Sequence, residues 1–290
     1  MDMDAIDNLR VPFLGFLAGS VLFGVTLLQA YQYFWNYGQD SKGRKVTVSR
    51  LLDCLHFAFS SVLMYGSLTS AARYTNETVI WCAPAMAVAK TLLLIFVQSY
   101  YLYLIWILAE NILIKRGLSR AIKSFSIITF LYAIGALLGF SVSPFLGQVV
   151  NIFSFSLSFE KMLYVAFGST AAIDCGIAAV ISVVLYNSSS ASASFKGRGG
   201  GIVHDLILFF IGTGVLTAIS AIITITLYAS NPSSVLYLAL EFSVPRIYAN
   251  SLLALFNAKT RLKEKMDPSV DLRVSSFLIF GEAPASITPN

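Results

Sequence analysis

Seven long stretches of this 290-residue chain are almost unbroken runs of apolar side chains, separated by shorter stretches that carry most of the charges and prolines. They run approximately over Pro12–Asn36, Leu51–Ala72, Ala83–Ala109, Ala121–Val142, Met162–Tyr186, Val203–Tyr228 and Ser233–Ala258. Each holds the roughly 20 residues that a helix needs to cross about 30 Å of hydrocarbon at 1.5 Å per residue. The pattern predicts an all-α polytopic membrane protein: a single bundle of seven transmembrane helices over residues 1–258, then a weakly ordered tail over 259–290.

Composition narrows the class. Hydrophobic residues make up 57% of the chain and charged ones 12%, against about 25% charged in a soluble domain, and the mean hydropathy is +0.74. A disordered chain would need low hydrophobicity and high net charge. The charges that remain are unevenly placed. Of the 20 basic residues, fifteen lie in the odd-numbered connectors and the tail, among them Lys42, Arg44, Lys45, Arg50, Lys115, Arg116, Lys196, Arg198 and Lys259. The N-terminus and the even connectors hold Arg10, Arg73 and Lys161. By the positive-inside rule the N-terminus is expected outside and the C-terminus in the cytoplasm.

The acidic start (Asp2, Asp4, Asp7) lacks the basic region of a cleaved signal peptide. The first span is therefore expected to act as its own anchor, with the protein in the plasma membrane or another secretory-pathway membrane. The sequon Asn76-Glu77-Thr78 then faces outward and makes Asn76 a candidate N-glycosylation site, whereas Asn187-Ser188-Ser189 faces inward. The net charge of +5 does not point to nucleic acid, because the basic residues flank span ends, where they set topology and meet anionic headgroups.

Local features add detail. The Ser-rich and Gly-rich connector Ser188–Gly201 predicts a mobile loop, and the greasy fourth connector Pro144–Phe153 predicts either an outer lid or an interfacial segment. Pro12 and Pro84 fit first-turn positions, leaving Pro245 to interrupt a helix. Gly15 with Gly19, and Gly135 with Gly139, are spaced to let helix backbones approach. Cys54 and Cys175 are expected as buried small apolar residues.

Ionisable groups inside a span are costly unless they face protein, water or a partner, which makes each a functional candidate. Asp53 and His56 share a face of span two, with His204 and Asp205 at the same level on span six. Counting down from the outer ends, Lys90 and Glu241 lie about 10–13 Å deep, and Asp174 and Arg246 about 16–20 Å deep. Depth thus suggests two pairs, Lys90–Glu241 and Asp174–Arg246. Gln98, Tyr101, Tyr248 and Asn250 are placed to extend such a polar network by hydrogen bonding. Catalysis is not expected. With two histidines and three cysteines the chain is poorly supplied for a zinc centre, no serine lies in a nucleophile-elbow context, and no metal or other cofactor is predicted.

Several segments resemble, in order, those of a large fungal membrane family, domain of unknown function 6534. They are Leu22–Phe34, Leu52-Asp53-Cys54-Leu55-His56, Gln98 through Trp106, Asp174, Gly214-Val215-Leu216-Thr217 and, most closely, Tyr248–Ala258. The chain departs from that family at Ala109-Glu110-Asn111, where an arginine is common. The resemblance implies a seven-helix integral membrane protein and no particular activity.

The functional expectation is a receptor-like protein in the lipid bilayer that senses a small or lipophilic ligand and meets a cytoplasmic partner at its basic connectors; its oligomeric state is open. A small-solute transporter or channel, or a non-catalytic membrane-organising protein, is the alternative. Span seven reads Val244-Pro245-Arg246-Ile247-Tyr248, unlike the Asn-Pro-x-x-Tyr of rhodopsin-type receptors, and lacks the interior lysine of a retinal protein.

Overall fold

The computed structural model describes residues 3–36, 43–69, 77–111, 116–142, 157–191, 198–230 and 236–265. Among them are seven helices: α1 (Met3–Asn36), α2 (Gly43–Thr69), α3 (Glu77–Asn111), α4 (Arg116–Val142), α5 (Leu157–Ala191), α6 (Arg198–Ser230) and α7 (Leu238–Lys265). Five of these contain segments long and apolar enough to cross a membrane: Leu9–Asn36, Lys45–Thr69, Cys82–Trp106, Tyr164–Tyr186 and Leu208–Ser230. Asn76, the greasy fourth connector and the tail beyond residue 265 lie outside the described residues.

The distribution of side chains is inside-out relative to a protein folded in water. Val21 is 69% exposed and Ile128 66%, whereas Asp53 and His56 are fully buried and Arg246 is 1% exposed. Water would reward the reverse arrangement; hydrocarbon solvates aliphatic surface and drives charges inward. Hydroxyls follow the same logic. Ser20, Ser61, Thr91, Ser126, Ser182 and Thr226 each donate to the carbonyl four residues back, which satisfies them on their own helix without water.

Helices α2 and α3 pack together, as do α5 and α6, while α7 packs mainly on α1 and also touches α2, α3 and α6. The α1–α7 seam is built on glycine. A Cβ on Gly15 would lie 2.3 Å from the Ala239 Cα, and one on Gly19 would lie 2.5 Å from the Phe242 carbonyl oxygen, so only glycine permits this approach. Three side chains of α7 then donate to α1: Ser243 to the Gly15 carbonyl (3.0 Å), Asn250 to the Leu22 carbonyl (3.0 Å) and Asn257 to the Gln29 carbonyl (2.8 Å). Donors and acceptors both recur every seven residues with a constant offset, so α1 and α7 run parallel in heptad register, as in a coiled coil.

Several local expectations change. Pro12 and Pro84 lie well inside α1 and α3, because both helices begin before their apolar runs do; with Pro245 of α7 that makes three helices lacking a backbone bond at a proline. Helix α5 continues through Ser188–Ser190 to Ala191, and α6 starts at Arg198 and takes in Gly199–Gly201. Much of the expected loop is thus helical, since adding a residue to an existing helix is cheap compared with nucleating one. Gly135 meets nothing within 4 Å and is not a packing notch. Cys54 and Cys175 are exposed, while Cys82 is buried; a thiol is apolar enough to face lipid.

Candidate functional site

Among the described residues, the buried charged side chains fall into three clusters, all of which include α7. The first joins α3 to α7. Lys90 Nζ lies 2.7 Å from Glu241 Oε1 and 2.6 Å from Oε2, and it also sits 4.6 Å from the centre of the Phe167 ring on α5. The two groups that the depth count paired therefore meet. Glu241 is in the first turn of α7, where the positive end of the helix dipole favours a carboxylate. The side chains keep 13% and 12% of their surface exposed, so this pair is the least enclosed of the buried charges.

The second cluster lies between α1, α2 and α7. Arg50 donates to Asp53 Oδ2 at 2.9 Å, one helical turn away, and Arg246 is close enough to act electrostatically on both Asp53 and His56. Phe23 and Phe57 stack with ring centres 4.3 Å apart. Arg50 lies 5.2 Å from the centre of Phe23 and Arg246 lies 5.3 Å from that of Phe57. The aromatic pair thus offers both guanidinium groups a polarisable face in place of water. Arg246 also donates to the Phe242 carbonyl. Asn250 donates to Thr26 Oγ1 as well as to Leu22. At His56 the Ser60 hydroxyl donates to the backbone carbonyl at 2.6 Å, which leaves the ring Nδ1 to donate to Ser60 Oγ across 3.4 Å.

The third cluster centres on Asp174 of α5. Gln98 of α3 donates to its Oδ1 at 3.1 Å and Tyr248 of α7 donates to its Oδ2; Thr217 of α6 reaches the same carboxyl. Beside it Tyr101 and Ser251 meet at 2.8 Å. Tyr101, Asp174, Thr213, Thr217, Tyr248 and Ser251 supply the polar lining of a cavity that leaves about 20 Å³ for the centres of water molecules. One water needs roughly 10–15 Å³ by that measure, so the cavity admits a water or a small ion.

The expected Asp174–Arg246 pair does not form. Arg246 and Tyr248 are two residues apart on α7, which turns them about 200° from one another. Tyr248 reaches Asp174 while Arg246 faces α1 and α2. Equal depth says nothing about azimuth. Asn250 likewise serves the α1 seam rather than the Lys90–Glu241 pair.

The sequence pattern places Arg50 in a connector, yet it is 8% exposed and two turns inside α2. Its spacing of three from Asp53 was the available signal. Thr217 and Ser251 lie in segments of family resemblance, but nothing set either apart as a site residue, and Phe167 carried no signal at all, because hydroxyls and rings are common in every span. His204 and Asp205 lie on α6, with their surroundings outside the described residues. Among the described residues no group of three His, Cys, Asp or Glu side chains is placed to hold a metal ion.

No match was found among curated proteins or solved structures. A family model does match residues 170–261, a stretch that holds Asp174, Thr217, Glu241, Arg246, Tyr248, Asn250 and Ser251 and leaves their partners Lys90, Gln98 and Asp53 outside it. Across its last three helices, then, the chain is similar to a family of unknown function, DUF6534.

Proposed function

We propose that the chain is a seven-span, non-catalytic, receptor-like membrane protein, N-terminus outside and tail in the cytoplasm, which senses a small lipophilic ligand at the outer end of the α3–α7 contact. The Lys90–Glu241 pair is the observation that carries this reading. It ties two helices together at a partly exposed position, under the aromatic face of Phe167. A ligand with an apolar body and one amine or carboxylate can replace either partner, because it would supply the missing charge to the group it displaces. Helix α7 links that position to the other two clusters through Arg246, Tyr248 and Asn250, so a shift at Glu241 is felt along its length. Basic residues at the opposite end, including Lys45 and Lys123, suit a cytoplasmic partner or anionic headgroups.

The test is a thermal-stability screen of the purified protein in lipid nanodiscs against a panel of lipophilic amines and carboxylic acids. At least one class should stabilise the wild type and not Lys90→Met or Glu241→Gln. Vesicle flux of the same compound, lost in Glu241→Gln, would replace the receptor reading with a transporter. No stabilisation by either class would remove it.

A further inference from the structure

Three carboxylates have their surroundings described, and two have cationic partners. Asp53 has Arg50 at 2.9 Å and Glu241 has Lys90 at 2.6 Å. Asp174, 7% exposed, is held by neutral donors, Gln98 and Tyr248. An isolated ionised carboxylate in a low-dielectric interior carries a large desolvation cost and is neutralised by a proton or by a counter-ion.

The hydroxyls around it have already committed their protons. Thr213 donates to the Phe209 and Phe210 carbonyls, Thr217 to those of Thr213 and Gly214, and Ser251 to that of Tyr248. Because the Ser251 proton is used, Tyr101 is the donor in the Tyr101–Ser251 bond, and Tyr248 donates to Asp174 itself. What these groups turn toward the cavity is oxygen lone pairs. A carboxyl at the wall of a space of about 20 Å³ that is otherwise lined by hydroxyl oxygens favours a cation over an anion.

We propose that Asp174 and the cavity between α3, α5, α6 and α7 form a binding site for one small monovalent cation, a proton or Na⁺. In the protonated form the carboxyl carries the charge-neutralising hydrogen itself. In the sodium form the ion sits in the cavity against the carboxylate and the oxygens of Thr217, Tyr101 and Ser251. The groups facing Asp174 are Gln98 and Tyr101 from α3, Thr217 and Gly214 from α6 and Tyr248 from α7, while α4 places Phe125 against the neighbouring Gly176. Among these, tyrosines are the sole titratable groups, and they stay neutral across the range in which a carboxyl titrates. The site does not depend on the receptor reading.

Melting of the whole protein in nanodiscs would be followed from pH 5 to 9, with NaCl exchanged for choline chloride at constant ionic strength. A sodium site predicts that at pH 8 the midpoint rises by about 3 °C for each tenfold increase in sodium through the binding range. Asp174→Asn should abolish that rise, and Thr217→Val should move the sodium midpoint at least threefold. A proton site predicts no sodium effect and a midpoint that falls as pH rises. It also predicts a protonated-carboxyl infrared band that is missing in Asp174→Asn. Should Asp174→Asn fail to fold, the Thr217→Val shift and the wild-type infrared band decide. A wild type indifferent to both sodium and pH overturns the proposal. So does dependence on either that survives Asp174→Asn.

Discussion

Charge placement at single residues decides which helices are tied to one another in the interior. Lys90 and Glu241 neutralise one another across two helices, and removing one partner of a buried pair strands the other at a cost of about 3–5 kcal/mol when fully enclosed. Their residual exposure of 13% and 12% lets the stranded group reach polar surroundings, so the expected loss is about 1–3 kcal/mol. Lys90→Met and Glu241→Gln should each lower the melting point, and the double variant should recover much of the loss in a double-mutant cycle. Additive losses would show that the two charges do not depend on each other. Depth along the sequence brought this pair together, but it did so only because the two helix faces also meet; the same depth count paired Asp174 with Arg246, whose faces point apart. The Asp53–Arg246–His56 group was legible only as a set of polar positions, since its assembly depends on which way each helix is rotated.

Helix pairing is governed by features that apolar runs do not encode. Hydropathy locates the spans, but the α1–α7 seam depends on Gly15 and Gly19 and on Ser243, Asn250 and Asn257 recurring at seven-residue intervals. The glycine spacing was visible in the sequence for both Gly15–Gly19 and Gly135–Gly139. Gly135 faces open space all the same, because a spacing rule identifies a notch without saying whether a neighbour fills it. Gly15→Ala should cost about 1–3 kcal/mol, since its Cβ would meet the α7 backbone rather than a movable side chain. Gly24→Ala, at a position with nothing within 4 Å, should leave the melting point unchanged or raise it slightly. Thermal melts of the two variants side by side check the contrast; equal effects would mean that the seam does not bear on stability.

At the scale of the whole molecule, the parallel run of α1 and α7 puts the start of the first helix and the end of the last at opposite ends of the bundle. Together with the skewed basic residues, this predicts that an N-terminal tag is reachable from outside intact cells and a C-terminal tag is not. Glycosidase should shift the wild-type band but not that of Asn76→Gln. Labelling of the C-terminal tag from outside would reverse the orientation. That the chain is all-helical, with helices apolar enough to cross a membrane, was plain from composition and run length, whereas the helix ends were not. Helices α1, α3 and α5 extend beyond their apolar runs, and turns built on the chain itself, as at α7, leave no hydropathy signature.

The closure of the bundle by its first and last helices also has a consequence for how the protein is made. Helix α7 is not among the five helices with a segment apolar enough to cross a membrane unaided, and its face toward α1 carries three hydrogen-bonding side chains. If α7 enters a bilayer, α1, which is synthesised first, can ease that entry by receiving those groups. Throughout translation the glycine face of α1 therefore waits uncovered, and Lys90 waits without its carboxylate. A ribosome that stops before residue 238 releases a chain with both liabilities exposed in the membrane. In a pulse-chase, a chain ended before residue 238 is expected to be cleared faster than one that includes α7; equal half-lives would show that the uncovered glycine face and the unpaired lysine carry no cost.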